Sequence, residues 1–271
     1  MYPMELPIAV YAPGRRLVEF SIETDLKPKT LDDVVDIFDA YNANLVMGLI
    51  MGNLQEDRRI IEAFVDHTDV SIPVKELAEI LKKIPGIFMV EYREGLKTDL
   101  ATCRLHYPPK VLGEEAVVFR LSVLKSWFNR IWDVFGSGAA NIFFEAGMEA
   151  GGNAARSFME KFGLENEGLV RFMADICSSL GWGKITILEF NPEKHEAKIR
   201  VENLFECSLA GRTGKPQSFF FKGYLLGAAM AFFNTDTLTI EEVKCIALGD
   251  SCCEFHLKTL SQPRSSGPGG T

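Results

Sequence analysis

Residues Glu241–Lys258 read EEVKCIALGDSCCEFHLK. Three of the chain's six cysteines fall in this stretch, Cys252 and Cys253 are adjacent, and the acidic pair Glu241 and Glu242 precedes them. Gly249 and Asp250 form a turn signal between two strand-like runs, so the stretch reads as a hairpin. Cysteines at this density admit a metal site, a redox pair or a packed core of thiols. A disulfide between the neighbours Cys252 and Cys253 is strained and disfavoured where thiols stay reduced.

Working back from this hairpin, PQSFFFKGYLLGAAMAFFN (216–234) reads as a buried helix with Phe219, Gly223, Leu226, Met230 and Phe233 on one side. WGKITILEF and HEAKIRVENLFECS, joined by NPEK, form an earlier hairpin. Three helices precede it: VLKSWFNRIWDVF, then the long SGAANIFFEAGMEAGGNAARSFMEKFG, then GLVRFMADICSSLG. Glycine inside a helix costs about 0.5–1 kcal/mol relative to alanine. Gly147, Gly151 and Gly152 are therefore expected where another helix or a ligand comes close.

The first part of the chain alternates strand and helix patterns. RRLVEFSIETD places Val18, Phe20 and Ile22 on one face and Leu17, Glu19, Ser21 and Glu23 on the other. A helix with Thr30 as its expected N-cap follows, then two strands around NLQED, a helix entered at Pro73, and the strand GIFMVEYRE. The order is βαββαβ, a ferredoxin-like arrangement. Residues 96–118, containing Pro108 and Pro109, read as a linker. Residues 261–271 are rich in Pro, Gly and Ser and read as a disordered tail. The fold class is therefore α+β, with domains at 1–95 and 119–260.

Bulk properties bound the function. The chain has 271 residues, 47% of them hydrophobic, and a formal net charge of −8. That balance argues against direct nucleic-acid binding. The stretch 218–233 is too short for a membrane span and contains Lys222. Residues 1–13 show no basic segment followed by an apolar run, so no leader is expected and a cytoplasmic, reducing setting is. No dinucleotide-binding glycine motif, P-loop or nucleophile elbow is present, so no catalytic residue is assigned. The four histidines are scattered singly, as structural histidines are.

The C-terminal half resembles the 4-vinyl reductase, or hydrocarbon-binding, domain family. Gly223, Tyr224 and Gly227 on the helix, then Glu242, Cys245, Gly249, Asp250, Cys253 and Phe255, match its pattern. The resemblance implies a mixed helix-plus-antiparallel-sheet domain around an apolar pocket, of the 4-vinyl reductase/TRAPP-like type. The family includes sensor domains of aromatic-responsive regulators, proteins linked to vinyl reduction in chlorophyll synthesis, and many archaeal members. Phenol-sensing members hold a structural zinc through a Glu-x-x-Cys, a later cysteine, and a cysteine on the preceding helix. Carried over, Glu242, Cys245 and Cys253 are three zinc ligands. The fourth position falls near Ser218, a poor ligand, with Cys207, Cys252 or a water as substitutes. The N-terminal half, about Arg15 to Glu94, resembles ACT regulatory domains in element order. The loop that often binds an amino acid in that family is DLKPKT here, with Asp25 and Pro28 but Lys29 in place of glycine.

Two questions stay open at the level of sequence. Cys245 and Cys253 suit buried apolar thiols as well as ligands. In a regular strand Glu242 and Cys245 face opposite sides, so a shared metal requires a bend or bulge. The expected pocket lining is Phe143, Gly147, Ile187, Phe220 and Tyr224. The reading is a small-molecule sensor that takes a compact apolar or aromatic ligand and forms a homodimer. The alternatives are a dimerising scaffold akin to vesicle-tethering subunits, or a reductase or accessory factor acting on a vinyl tetrapyrrole.

Overall fold

A computed structural model describes residues 4–25, 27–52 and 57–260. The chain divides into two units, Met1–Val117 and Val118–Thr271. The expected tail at 261–271 lies outside the described residues.

The first unit runs β1 (Ala9–Tyr11), β2 (Leu17–Thr24), α1 (Pro28–Ala40), β3 (Asn44–Met51), β4 (Arg59–Asp66), α2 (Val74–Leu81), β5 (Ile87–Glu94), β6 (Leu100–Thr102), β7 (Lys110–Val111) and β8 (Glu114–Glu115). Its main sheet has the order β3-β4-β2-β5 and is antiparallel throughout. This is the ferredoxin-like βαββαβ arrangement. Val18, Phe20, Ile22, Ala63 and Val65 pack with Val34, Phe38, Leu77 and Leu81 of the two helices into one core.

Two local expectations change. Pro28, with its fixed φ, opens α1, and Lys27 stands at the N-cap. Thr30 instead donates to Asp25 Oδ1 at 2.8 Å, and Asp25 Oδ1 also accepts from Lys27 N. Asp25 thus closes a turn with its own neighbours.

The larger change is at residues 96–118. Part of this expected linker is structure: β6 pairs with β1, Ala9↔Thr102 to Tyr11↔Leu100. Val10, Leu17, Phe64 and Ala101 form a second small core. The physical reason is the other face of β2, whose apolar Leu17 requires a cover, and the β1–β6 pair supplies it.

The second unit runs α3 (Leu121–Phe135), α4 (Gly138–Phe162), α5 (Asn166–Ser179), β9 (Lys184–Asn191), β10 (Glu196–Glu202), α6 (Phe205–Ala210), α7 (Phe219–Phe233), β11 (Leu238–Lys244) and β12 (Cys253–Thr259). The sheet order is β11-β12-β10-β9, all antiparallel. Ile199, Val201, Phe255 and Leu257 pack against Phe221 and Leu226 of α7.

Helices α4 and α7 touch through backbone. A Cβ on Gly147 would lie 2.0 Å from Phe220 O, and one on Gly151 2.0 Å from Tyr224 O. In return, a Cβ on Gly223 would lie 2.1 Å from Phe144 O, and one on Gly227 1.8 Å from Met148 O. Two glycine pairs spaced four apart therefore interlock, because any side chain would hold the helices apart. Among the described residues no helix is long and apolar enough to cross a membrane.

Candidate functional site

The site consists of a cysteine cluster and an apolar cavity, both in the second unit. The cluster begins at α6. Cys207 sits on this short helix and is fully buried. Cys253 opens β12, and Cys245 follows the end of β11. Cys207 Sγ lies 3.6 Å from Cys245 Sγ and 3.5 Å from Cys253 Sγ. Glu242 completes the group, and the four ligand atoms all lie within 4.8 Å of one another.

A bulge brings Glu242 in. Along β11, Glu242 pairs with Phe255 and Lys244 with Glu254, so Val243 is an extra residue without its own partner. Residues opposite one another share a face, as do Phe255 and Cys253 two apart. The extra residue thus returns Glu242 and Cys245 to one side of the sheet. The turn beyond is held tightly. Cys245 N donates to Asp250 Oδ2 at 2.8 Å, Gly249 takes φ +113°, and Ile246 N donates to Cys253 Sγ at 3.4 Å.

The electrostatics of this cluster call for a cation. The Cys207 thiol contacts hold Cys245 well below the ordinary thiol range, while contact with Cys245 and Cys253 drives Cys207 up. Burial pushes the Glu242 carboxyl up to about 8, and its Oε1 has no hydrogen-bond partner among the described residues. Three thiols and one carboxylate around a point match the donors of a tetrahedral, borderline-soft metal ion.

Of the candidates for the fourth ligand, Cys207 joins the group. Cys252 is buried but outside it, and Ser218 is buried at the start of α7 and outside it. Cys207 is 46 residues from Cys253 in sequence, and only the packing of α6 under the hairpin brings it in. Its neighbour Glu206 was not singled out by sequence. It is 2% exposed, and its Oε1 and Oε2 accept from Phe220 N and Phe221 N at 2.9 and 3.1 Å. Glu206 therefore caps α7 from a different element, which no local pattern could reveal.

The cavity lies between α5, α7 and the sheet and has about 80 Å³ of free space. Met173, Ile185, Ile199, Phe221, Ala228 and Leu257 are among its walls. Its lining side chains are apolar apart from the Cys177 thiol and the Tyr224 hydroxyl, which touch at 3.7 Å with Cys177 as donor. Burial pushes the Cys177 thiol up to about 11, so both groups remain neutral at pH 7.

Of the five expected lining residues, Ile187 and Tyr224 line this cavity. Phe143, Gly147 and Phe220 do not. Phe143 stacks on Phe128 at 4.3 Å between ring centroids, and Phe220 packs edge-on against Trp182 at 5.8 Å. Gly147 serves the α4–α7 contact. The reason is rotational: α7 is apolar all round, so helical periodicity could not distinguish its cavity face from its α4 face. Cys177, which sequence reasoning passed over, supplies one of the cavity's two polar side chains.

Comparison with known proteins places these features. Residues 197–259, which hold all four cluster residues and both strands of the final hairpin, match the 4-vinyl reductase domain. No curated protein sequence matches the chain. Among solved structures, the chain resembles the phenol-responsive sensory domain of the transcription activator PoxR, determined with phenol. That match has 19% identity and a TM-score of 0.50, and covers 56% of this chain and 80% of the other. A vinyl-4-reductase family protein from Methanocaldococcus jannaschii matches at 20% identity and TM-score 0.39, covering 54% and 85%. A trafficking protein particle complex subunit 3 from Naegleria fowleri matches at 16% identity and TM-score 0.37, covering 53% and 97%.

Proposed function

We propose that the second unit is a sensor for a small apolar or aromatic molecule, and that the chain is regulatory rather than catalytic. The observation that carries this reading is the cavity itself. It is apolar on all its lining side chains but for the neutral Cys177–Tyr224 pair, an arrangement that binds by burial and orients by one hydrogen bond. Its 80 Å³ is smaller than the roughly 150 Å³ of an engineered cavity that takes benzene. Binding therefore moves α5 or α7 outward, and that displacement is the signal. Likeness in fold to a phenol-responsive sensory domain makes phenol the first ligand to try.

Zinc at Cys207, Glu242, Cys245 and Cys253 is structural in this reading. Four protein ligands leave no open position for a substrate. The ion would tie α6 and the last hairpin together. Phe255, two residues beyond Cys253, has its ring 5.6 Å from that of Phe221 in the cavity wall. Thiolate ligands fit a reducing compartment, the cytoplasm. The first unit acts as an ACT-type regulatory module, supported by its βαββαβ topology. A homodimer is supported by α3, none of whose residues is buried although Leu121, Trp127, Val134 and Phe135 are apolar.

The test is calorimetric and thermal titration with phenol, toluene and indole. Ligand at about 100 times Kd stabilises a binding protein by about 2.7 kcal/mol, a clear rise in Tm. Ala228→Phe, which fills the cavity, abolishes the rise. No shift with any such ligand, in protein that melts cooperatively, overturns the reading. Light scattering reports the dimer independently.

A further inference from the structure

The first unit buries a second constellation of ligating side chains. Glu19 on β2 and Glu62 on β4 are diagonal neighbours on one face of the sheet, since Glu19 pairs with Phe64 and Ser21 with Glu62. This is the face that the β1–β6 pair and the segment after it cover. Both glutamates are 1% exposed. Half-buried Cys103 comes down from that segment. One ligand atom from each of Glu19, Glu62 and Cys103 lies within 4.8 Å of the others. His106 joins them, with Nε2 2.9 Å from Glu62 Oε2.

Internal hydrogen bonding does not account for this group. Glu19 Oε1 accepts from Arg104 N at 2.7 Å and Leu105 N at 2.9 Å, which anchors the covering segment. Glu19 Oε2 and both oxygens of Glu62 have no hydrogen-bond partner among the described residues. The His106–Glu62 contact is close but not aligned as a hydrogen bond, because Nε2 is itself without such a partner. Two groups this near, neither donating to the other, are disposed as co-ligands of one ion. Two buried carboxyl groups side by side are costly unless a proton or a cation lies between them.

We propose that Glu19, Glu62, Cys103 and His106 form a second metal site, for a divalent first-row ion of borderline softness such as zinc. Two carboxylates, one thiolate and one imidazole are all zinc donors. A tetrahedral zinc with ligands at 2.0–2.3 Å holds its ligand atoms about 3.3–3.8 Å apart. The observed group needs only a small contraction to reach that. Two of the ligands reside on strands and two on the segment that covers them, so the ion would clamp residues 103–106 onto the sheet. In its absence, burial and then the Glu19 charge push the Glu62 carboxyl up to about 8, and metal binding displaces that proton.

The experiment is zinc loading of the full chain, gel filtration, and elemental analysis of wild type, Glu62→Gln, Cys103→Ser and Cys253→Ser. The expected result is that Glu62→Gln and Cys103→Ser each lose one zinc per chain, and that Cys253→Ser retains the zinc they lose. If the cysteine cluster of the second unit binds no metal, wild type holds one zinc, still lost in Cys103→Ser. Folding of the variants is followed by circular dichroism. X-ray absorption on the zinc-loaded wild type needs no variant: two sites of these compositions average about two sulfur ligands per zinc rather than three. Zinc content unchanged by both Glu62→Gln and Cys103→Ser overturns the proposal. So does an average of three sulfurs, which leaves the two carboxyl groups sharing a proton.

Discussion

Glu242 and Cys245 face the same side of the sheet although they are three residues apart, because Val243 bulges out of β11 between them. A regular strand would have sent them to opposite faces. With Cys207 and Cys253 they form a four-donor cluster on three different elements.

The bulge makes a prediction of its own. Val243 is 42% exposed and has no cross-strand partner. Its deletion leaves Glu242 opposite Phe255 and Lys244 opposite Glu254, with Glu242 and Cys245 two apart and still on one face. Zinc content after deletion of Val243 should equal that of wild type, whereas Glu242→Ala should reduce affinity. Loss of zinc on deleting Val243 would show that the bulge does more than set the face.

The two adjacent cysteines should behave differently. Cys253→Ser removes a ligand, and zinc affinity should fall by more than the 10–100-fold that an outer partner typically costs. Cys252→Ser, buried beside it but outside the cluster, should keep full zinc content. Competition with a chromogenic chelator reads both. Equal loss in the two variants would move the ligand assignment.

The interlocked glycines of α4 and α7 set a stability prediction. Gly227→Ala places a Cβ 1.8 Å from Met148 O, and backbone cannot yield as a side chain does. The cost should reach about 3 kcal/mol, the upper end of ordinary overpacking. At Gly152 the nearest atom to a Cβ is the flexible Arg156 guanidinium at 3.4 Å, so Gly152→Ala should be near neutral. Urea unfolding of the two variants gives the comparison.

His67 governs an acid limb of stability. It is 1% exposed, neither ring nitrogen has a hydrogen-bond partner among the described residues, and burial, then the Arg16 charge, lower it from 6.5. Glu94 and Asp66 pull the other way and do not prevail. The folded state resists protonation that the unfolded chain accepts. Its contribution is therefore complete above pH 6.5 and falls as pH drops below it, by at most about 1.4 kcal/mol per pH unit. Denaturation of His67→Phe at pH 5.0 and 7.5 should show a smaller pH difference than wild type. An unchanged difference would assign the acid limb to other groups.

Much of the architecture was legible because it is carried by local rules. Alternation along 17–24, the proline at the start of α1, and the Gly249 turn each act over a few residues, and both sheets follow from them. Three of the four cluster residues could be named because they lie within twelve residues of one another around one turn.

Tertiary structure decided the rest. Cys207 enters the cluster only through the packing of α6, and Val243 bulges because register is set between strands and not within one. α7 is apolar on every side, so only its neighbours determine that Tyr224 faces the cavity while Phe220 faces Trp182. Glu19 and Glu62 occupy what sequence alone reads as a polar, solvent-facing set of positions. They are buried because a segment some forty residues or more beyond them in the chain folds back across that face, a long-range closure that no local periodicity encodes.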